Sequence, residues 1–584
     1  MPTFFSNNTK QEGTHSFAQC SASTPWGAIL LLLALILAVY YPVFFAGFVW
    51  DDADIFESPQ IHNMSGLIDI WIHPGNSILQ DYMPLNYTTT WLEYRLWGTN
   101  PFGYHAVNLF LHCVNALLLL YLLRCIRAPG ALFATLLFAL HPVQISSVAW
   151  VAQRKDLLYV LFYFLTFLAW IRFEEKKTWA RYLLVFALFA AGMLSKRMAI
   201  TWPLAALVFS WWRSGEPQLR NALRLLPLLL FAVPLSFIVN LTNPTSSDAE
   251  LSAIEHLSLL QKLLLACNNA GYYLGKLLWP REHVPFYPTW KIDPTYPVLY
   301  LAPVAIAATL IALWVLHNRI GRGPLAAAAF YLIGLSTILG FFPWSLMSMT
   351  YVQDHYQYLA CIGPFLLLAY AMDRYAPRLF QKSANLRFLV YGTLAPLLLL
   401  PLATVAHKQV RLYHDRETLF RPNFEKHPDS YYGAVQFARG LSINHKNTEA
   451  LVVLDQTIAR NPKLFPAWYH KGIVHSMLGQ RKEALAAFQK ALGLEPNSSE
   501  TMNCIAAQLL SEQPPNAKSA LPLLEQALAL DPDNLRVEMN LGTALYLTDR
   551  KIESRKHFER VIQTDPFAIT PEALAQYRNL LQGK

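Results

Sequence analysis

Charged residues and cysteine motifs are both scarce in this chain. Only 15% of its 584 residues are charged, whereas 54% are hydrophobic, and this balance excludes a single water-soluble domain of ordinary composition. The six cysteines show neither a disulfide framework nor zinc-ligand spacing. The sequence also lacks an HExxH, CxxC or Walker motif, so nothing in it predicts a zinc protease, a dithiol centre or a P-loop.

Long apolar runs take the place of a soluble core. About eleven segments could cross the roughly 30 Å of a bilayer's hydrocarbon, near residues 26–46, 105–123, 129–147, 157–172, 179–194, 199–212, 225–241, 297–316, 325–342, 358–373 and 388–406. The net charge of +9 comes from basic residues scattered through short loops rather than clustered on one face. This distribution argues against nucleic acid as a partner and indicates membrane topology.

The basic loops predict the orientation of the chain. With a cytoplasmic N-terminal tail (1–25), almost all loop cations fall on the cytoplasmic side, as the positive-inside rule requires. An odd number of spans then places the C-terminal region outside. The apolar stretch 257–279 would invert every later loop if it crossed, so we expect an amphipathic helix along the outer membrane face.

Two cation pairs break this rule. Arg154–Lys155 and Lys196–Arg197 fall in short outward loops that otherwise contain almost no cations. Positive charge at the mouth of an apolar bundle is costly unless an anion meets it, and a lipid phosphate is the natural candidate. The alternative is that Arg154 pairs with Asp156 and the other cations extend to the interface.

An acidic pair begins the first outward loop, residues 47–104. Asp51 and Asp52 directly follow the first span in the sequence FVWDDADIFESP. Neighbouring carboxylates at a lipid-sheltered position raise one another's pKa, so one of them can act as a base near neutral pH. The alternative is a solvated helix cap, in which Asp52 or Asp54 accepts backbone N–H bonds.

The last third of the chain is periodic. Pro428, Pro462, Pro496, Pro532 and Pro566 recur at steps of 34, 34, 36 and 34 residues, which is the period of tetratricopeptide repeats. Small residues recur in the same phase, where paired helices must approach closely. We therefore predict a repeat domain over 407–584, with a closing helix from Pro571 and a concave groove for peptide or protein.

Several motifs, in their order along the chain, resemble one family. They are the acidic pair, PLNYTTTWLEYRLWGTNPFGYHAVNLFLH, HPVQISSVAWVAQRKDLLYVLFY, SKRMAITWP, KLLWP and DHYQYLACIG, followed by the repeats. This order is similar to that of the transmembrane and tetratricopeptide-repeat-containing O-mannosyltransferases and their bacterial relatives. The resemblance implies an all-α polytopic bundle of the C-type glycosyltransferase fold over 26–406.

The resemblance also implies an activity and residue roles. An inverting transferase would move a sugar from a polyprenyl-phosphate carrier to Ser or Thr hydroxyls of exported proteins on the outer face. Asp51 or Asp52 would be the catalytic carboxylate, and Arg154 and Lys155 would contact the carrier phosphate. Further phosphate candidates are Lys196, Arg197 and a protonated His355, with Asp156 and Asp354 as secondary candidates; Asp354 could instead simply pair with His355.

Other interpretations stay open. No metal ligand set is predicted, and a divalent cation on Asp51, Asp52, Asp54 and Glu57 is conceivable but not required. The acceptor could instead be a glycolipid or surface polysaccharide, or the chain could be a membrane-anchored scaffold without catalysis. The compact loops favour a bacterial inner membrane with periplasmic repeats, and a eukaryotic host would place the repeats in the endoplasmic reticulum lumen.

Overall fold

The computed structural model describes residues 26–76, 78, 81–216, 219–238, 242, 256–342, 346–379, 384–564 and 570–581. Over these ranges all regular structure is helical and no β-strand occurs, which confirms the all-α prediction. The chain divides into two compact units, residues 1–415 and 416–584, here called the membrane unit and the repeat unit. The predicted cytoplasmic tail, residues 1–25, lies outside the described residues.

The membrane unit begins with one apolar helix, followed by a long connection that itself contains helices. Its first helices are α1 (Trp26–Tyr40), α2 (Asp52–Glu57), α3 (Met64–Ile72), α4 (Pro84–Trp97) and α5 (Pro101–Cys125). Helix α5 begins at Pro101, whose missing N–H is not needed at a first helical position. The Asn100 side chain caps it by accepting the Phe102 N–H at 3.1 Å. Helices α2 to α4 therefore fill the predicted first outward loop.

The next helices contain a sharp break. They are α6 (Ala131–Leu140), α7 (Ile145–Ala149), α8 (Arg154–Glu175), α9 (Trp179–Ser195), α10 (Trp202–Ser214) and α11 (Leu219–Ser236). Between α6 and α7 the chain bends by 56° at a turn that begins with Pro142. Proline lacks the N–H that would continue the helix and pushes the preceding residue into an extended conformation. The break directs residues 145–153 toward the start of α8.

The membrane unit closes with helices of different lengths. They are α12 (Leu259–Leu278), α13 (Leu301–Ile320), α14 (Gly323–Leu335), α15 (Ile362–Leu379) and α16 (Ala384–Val410). Short 3-10 helices at Asp354–Gln357 and Arg411–His414 stand before α15 and after α16.

The predicted number of about eleven spans is not confirmed. A helix lies at each of the eleven predicted segments, but among the described residues only five are long and apolar enough to cross a membrane, or six if the bent α6–α7 pair counts as one. The qualifying helices are Trp26–Phe45, Pro101–Cys125, Val151–Glu175, Leu219–Ser236 and Pro297–Ile320. Helices such as α10 and α14 have 13 residues each, about 20 Å at 1.5 Å per residue, short of a bilayer.

The stretch predicted to lie along the membrane forms α12. Ser258 and Gln261 make a capping box at its start, which satisfies two N–H groups that a helix leaves unpaired. One face is buried, including Leu264, Leu265 and Tyr273. This helix is not among the membrane-span candidates, and its position on the outer face stays a prediction.

The repeat unit is a succession of helix pairs. It comprises α17 (Arg416–Lys426), α18 (Tyr431–Ile443), α19 (Asn447–Arg460), α20 (Phe465–Met477), α21 (Arg481–Leu494), α22 (Ser499–Leu510), α23 (Ala517–Leu530), α24 (Leu535–Leu547), α25 (Lys551–Thr564) and α26 (Pro571–Leu581). A Cβ on Gly472 would lie 2.6 Å from Cδ1 of Phe488. Paired helices thus approach closely where the sequence repeats small residues, as predicted.

The rings of Phe437 and His470 lie on helices of the repeat unit. Phe437 is buried and its ring stacks on Phe424 with centroids 5.3 Å apart. Burial, reinforced by the nearby Arg439 and Arg416 charges, lowers the pKa of His470 to about 3, so its imidazole is neutral at physiological pH. These contacts serve helix packing, and a peptide groove stays a prediction.

Candidate active site

The buried member of the acidic pair is Asp52. Its Oδ2 accepts the Val49 N–H at 2.9 Å and its Oδ1 accepts the Ala152 N–H at 2.7 Å. The side chain is fully inaccessible. Asp52 thereby ties the predicted first outward loop to the segment before α8. Its role as a catalytic carboxylate stays a prediction.

Asp51 is the accessible member of the pair. It is half-buried and occupies the N-cap position of α2, but its side chain makes no capping bond to that helix. The predicted cap alternative concerned Asp52 and Asp54, and Asp52 accepts two backbone N–H bonds but is buried rather than solvated. The preceding Trp50 has φ +49°, a left-handed conformation that costs a bulky residue about 1–3 kcal/mol. Its ring stacks on Trp150 with centroids 4.6 Å apart, and this contact fixes the turn that presents Asp51.

The Arg154 side chain is buried, and its guanidinium group donates to protein acceptors. Its Nη1 pairs with Glu93, its Nε donates to Oδ1 of Asn108 at 2.9 Å, and its Nη2 donates to the Tyr104 carbonyl at 3.0 Å. The predicted alternative of an Arg154–Asp156 pair is therefore wrong, because Glu93 on α4 supplies the carboxylate. A contact between Arg154 and a phosphate stays a prediction, although protein groups already hold its guanidinium.

Asp156 pairs instead with the second outward cation pair. Its Oδ1 lies 2.5 Å from Nζ of Lys196, and Ser147 donates to its Oδ2 at 3.4 Å. Both charged side chains are buried. Burial lowers the pKa of Lys196, the Asp156 carboxylate opposes this shift, and the Lys155 charge adds to it. The pair joins α8 to the chain that follows α9.

The remaining two cations are more accessible. Lys155 is half-buried and forms no ion pair with any residue that the structure describes. Arg197 is 40% exposed and lies 3.1 Å from Oδ1 of Asp81 through its Nε; its Nη1 also donates to the Ser236 carbonyl at 3.2 Å. Lys155 and Arg197 are therefore the cations of this group that an anionic ligand could reach most directly.

The Asp354 carboxylate does not pair with His355. Its Oδ2 lies 3.0 Å from Nδ1 of His283 and accepts the Tyr287 hydroxyl at 2.8 Å, so the predicted alternative of an Asp354–His355 pair is wrong. Burial opposes ionisation of Asp354, but the charge of Lys276 and these hydrogen bonds outweigh it, and the pKa is lowered. Asp354 acts within a buried network that joins two loops.

His355 is buried beside aromatic rings. Its ring contacts Trp150 edge-on at 5.9 Å between centroids and lies 4.2 Å from that of Tyr356. Burial, followed by the charges of Lys196 and Lys155, lowers the pKa of His355 well below its usual value. The imidazole is neutral near pH 7, so the predicted ionic pairing with phosphate would need a protonation that this environment opposes.

Tyr356 is where these charges converge. Burial raises the pKa of its hydroxyl, the carboxylates of Asp156, Asp81 and Asp51 raise it further, and Arg197 opposes them. The ammonium of Lys196 also lies 5.1 Å from the Tyr356 ring centroid. Residues from the first loop, α8 and the turn after α9 thus act electrostatically on one aromatic side chain, as expected for a site assembled from several motifs.

A metal centre is not evident on the residues that the structure describes. Among them, no three or more His, Cys, Asp or Glu side chains are grouped to hold an ion. The possibility of a divalent cation stays untested.

Several site residues were not singled out from the sequence. Glu93 and Asn108 lie within the quoted motif that begins PLNYTTTW, but nothing local marks them as partners of Arg154, and Asp81 lies outside the quoted motifs. Their partners lie far along the chain, since Arg154 is 61 residues from Glu93 and 46 from Asn108. The only usable sign was that a carboxylate among aromatic residues, as in WLEYRLW, needs a buried partner.

Family comparisons match both units. Residues 82–240 match the family described as dolichyl-phosphate-mannose-protein mannosyltransferase, and residues 465–498 and 516–569 match tetratricopeptide repeats. The first match covers the segment that contains Glu93, Arg154, Asp156 and Lys196.

Curated relatives carry the same description. Protein O-mannosyl-transferase Tmtc1 of Drosophila melanogaster is 32% identical over 29% of this chain and 21% of its own length. Protein O-mannosyl-transferase TMTC4 of Mus musculus is 32% identical over 31% of this chain and 29% of its own length. Among solved structures, the TPR protein YrrB is 22% identical over 28% of this chain and 82% of its own, with a TM-score of 0.25.

The alignments thus span only about a fifth to a third of these curated relatives. The family resemblance is confirmed, since the chain is similar to a mannosyltransferase family over residues 82–240, to tetratricopeptide repeats over residues 465–498 and 516–569, and to curated protein O-mannosyl-transferases over part of its length.

Proposed function

We propose that this protein is an integral-membrane glycosyltransferase that moves a sugar from a polyprenyl-phosphate-linked donor to Ser or Thr hydroxyls of exported proteins on the outer face of the membrane. One observation carries the proposal. The half-buried Asp51 and the accessible Arg197 both act electrostatically on the Tyr356 hydroxyl, and the accessible Lys155 acts on the neighbouring His355. The similarity to named protein O-mannosyl-transferases supports the same class of reaction.

The proposed chemistry is one displacement at the sugar. The acceptor hydroxyl oxygen attacks the anomeric carbon as its proton passes to Asp51, and the bond from that carbon to the phosphate oxygen breaks. The leaving group is the polyprenyl phosphate, and Lys155 and Arg197 stabilise the negative charge that develops on it. Attack from the face opposite the phosphate inverts the configuration of the sugar.

The buried pairs have a positioning role in this scheme. Arg154 with Glu93, and Lys196 with Asp156, fix the start of α8 and the turn after α9. The accessible Lys155 and Arg197 are sequence neighbours of these two buried cations. A rigid supporting layer keeps reactive groups in a productive geometry without paying for rearrangement during the reaction.

The proposed setting follows the charge distribution. The chain would lie in a bacterial inner membrane with its N-terminus in the cytoplasm and its repeats in the periplasm, or in the endoplasmic reticulum membrane of a eukaryote. Tethered repeats that hold exported protein would raise the local concentration of acceptor hydroxyls.

The test is a transfer assay with the full chain in lipid. Polyprenyl-phosphate mannose and an exported acceptor protein are supplied, and the sugar mass on acceptor peptides is measured. We expect Asp51→Asn to lower turnover by about 10²- to 10⁴-fold, the usual contribution of a general base, without a change in thermal unfolding. Asp54→Asn is the matched control, because Asp54 is an exposed carboxylate on the same short helix.

Three results would count against the proposal. Full transfer by Asp51→Asn would remove the assigned base. Sugar appearing on a glycolipid or polysaccharide, but on no protein, would replace the acceptor class. Absence of transfer by the wild-type chain to any acceptor, with repeats that still capture partners, would favour the scaffold interpretation.

A further inference from the structure

An apolar cavity lies inside the membrane unit, away from the candidate active site. Its volume is 160 Å³, it is partly open, and residues of α5, α8, α10, α14 and α15 line it. Its lining includes Leu119, Phe164, Phe209, Trp212, Phe330 and Leu366. The Tyr370 hydroxyl at its edge donates to the Ile320 carbonyl at 3.0 Å, so that group needs nothing from an occupant. A cavity of this size with such walls stays dry and accepts hydrocarbon.

The cavity and the active site occupy different levels of the same helices. On α8 the site residues begin at Arg154, whereas Phe164 and Phe167 line the cavity. At 1.5 Å per residue this separation is about 15–20 Å along the helix. On α5 the Arg154 partner Asn108 lies near the beginning, and the lining starts at Leu119. An occupant of the cavity would therefore be remote from the reacting groups.

Arginines flank the lining at this end of the helices. Arg127 directly precedes the lining residues Ala128 and Pro129, Arg322 directly precedes Gly323 and Pro324, and Arg374 follows Tyr370 by one helical turn. None of these three arginines forms an ion pair within the described part of the chain. Nε of Arg374 is buried and has no hydrogen-bond acceptor among the described residues. The rim thus combines hydrocarbon walls with three arginines that form no ion pair among the described residues.

Arg322 is placed firmly at this rim. A Cβ on Gly215 would lie 1.9 Å from its Nη1, so the guanidinium rests directly against the backbone that ends α10. Trp212, in the last turn of that helix, lines the cavity. The charge of Arg322 is therefore held next to the apolar opening instead of extending into solvent.

We propose that the cavity binds one acyl chain of an anionic phospholipid from the leaflet at this end of the bundle, with the lipid phosphate between Arg127, Arg322 and Arg374. The chain fills space that water does not, and the headgroup supplies the negative charge that the rim lacks. A zwitterionic lipid offers the same chain but no net charge. The polyprenyl donor is a poorer occupant, because its phosphate belongs with Lys155 and Arg197 at the other level.

The test is lipid retention by the full chain purified in detergent. Phosphatidylglycerol or phosphatidylcholine is added, and bound lipid is counted by native mass spectrometry. We expect the wild type to retain one phosphatidylglycerol. Arg322→Gln should weaken its affinity about fivefold, the effect of one cation near an anionic headgroup. Val208→Phe, which fills the cavity, should remove the bound lipid.

Two variants serve as matched controls. Arg220→Gln removes an exposed arginine from α11 that is not beside the cavity, and Val304→Phe adds the same bulk on α13, where Val304 is 64% exposed. Both should retain phosphatidylglycerol like the wild type.

Several outcomes would overturn the lipid site. Equal retention of both lipids by the wild type would remove the role of charge, and this result does not depend on any variant folding. Loss of thermal stability in Arg322→Gln that is the same with either lipid would make Arg322 a partner of the α10 end. Displacement of polyprenyl phosphate instead of phospholipid by Val208→Phe would assign the cavity to the donor.

Discussion

The two units of the molecule treat electric charge differently. In the membrane unit, the Arg154–Glu93 and Lys196–Asp156 pairs are buried on both sides, with side-chain exposures of 2% and 7%, and of 8% and 0%. In the repeat unit, each described pair of a lysine or arginine with a carboxylate keeps at least one partner exposed. Even the buried Glu417 is met by Lys446, which is 43% exposed. The membrane unit thus accepts a desolvation cost that the repeat unit avoids.

This difference in the burial of ion pairs indicates where each unit needs a fixed geometry. The repeat unit obtains its helix spacing from glycine and alanine packed against rings, which involves no charge. The membrane unit places its buried pairs at the start of α8 and after α9, directly beside the accessible Lys155 and Arg197. Because buried pairs are weak contributors to net stability, we infer that they are retained to position the site.

Breaking one buried pair should give the largest loss of stability. Glu93→Leu removes the only carboxylate that pairs with Arg154 among the described residues. The buried guanidinium then lacks a counter-charge, and we expect a loss of about 3–5 kcal/mol. Thermal unfolding of the full chain in one detergent would measure it.

A double variant distinguishes the pair's role in positioning the site from its contribution to folding stability. Glu93→Leu with Arg154→Met replaces both charges by apolar groups, and such replacements are often neutral or stabilising. We expect stability to recover while transfer stays impaired. Recovery of transfer as well would show that the pair does not position the site.

Adding one methyl group in the repeat unit should lower the free energy of unfolding by less than breaking the buried pair does. Gly472→Ala places a Cβ 2.6 Å from the Phe488 ring, so the helices must separate or the ring must move. Overpacking of this kind costs about 1–3 kcal/mol. The matched control is Gly493→Ala in α21, where nothing lies within 4 Å of the new Cβ.

The control should change stability in the opposite direction. Alanine is favoured over glycine in a helix by about 0.8–1.0 kcal/mol, so Gly493→Ala should raise the unfolding temperature. The two substitutions are chemically identical, and their difference isolates the close approach of α20 and α21. Equal effects would mean that the contact with Phe488 is not rigid.

The sequence predicted the local features of this molecule well. Each apolar segment became a helix, and the 34-residue step located the repeat helices, because hydropathy and repeat phase are properties of neighbouring residues. The lengths of the helices were harder to predict from the sequence. Proline at position 142 and short helices such as α10 reduce the qualifying spans to five or six, although the apolar runs themselves are longer.

The candidate site could be predicted only in its composition. The cations and carboxylates were identified from their unusual position, but the pairing was not, since it depends on distant contacts. Arg154 pairs with Glu93 instead of Asp156, and Asp354 pairs with His283 instead of His355. In both cases the ion-pair partner is a residue that another element of the fold brings near, and not the neighbour in the sequence. No local sequence pattern predicts such a pairing.

A pair with one exposed partner should respond to pH. Burial opposes ionisation of Glu417, but hydrogen bonds from Lys446, Asn444 and Arg421 outweigh it and lower the pKa of Glu417. This contribution to stability is therefore present above the unfolded pKa of about 4.3 and is lost as pH falls through the folded pKa. Glu417→Gln should remove that acid dependence and cost on the order of 1 kcal/mol at neutral pH.

The control for this pH effect is Glu559→Gln on α25, whose carboxylate is 33% exposed and pairs with Arg555. Its unfolding should follow the wild-type dependence on pH. If Glu417→Gln kept the full acid dependence, the stabilisation of the ionised Glu417 would have to come from elsewhere in the repeat unit.

A pair that is exposed on both sides should contribute least. Arg550 lies 2.6 Å from Glu553 and 3.2 Å from Glu525, with all three side chains 40–50% exposed. Water and salt screen such pairs, and ordering the long side chains offsets the attraction. We expect no resolvable shift in unfolding for Arg550→Ala, at low or high salt. A large, salt-dependent loss would show that the repeat unit also relies on charge, and burial would then not explain the contrast between the two units.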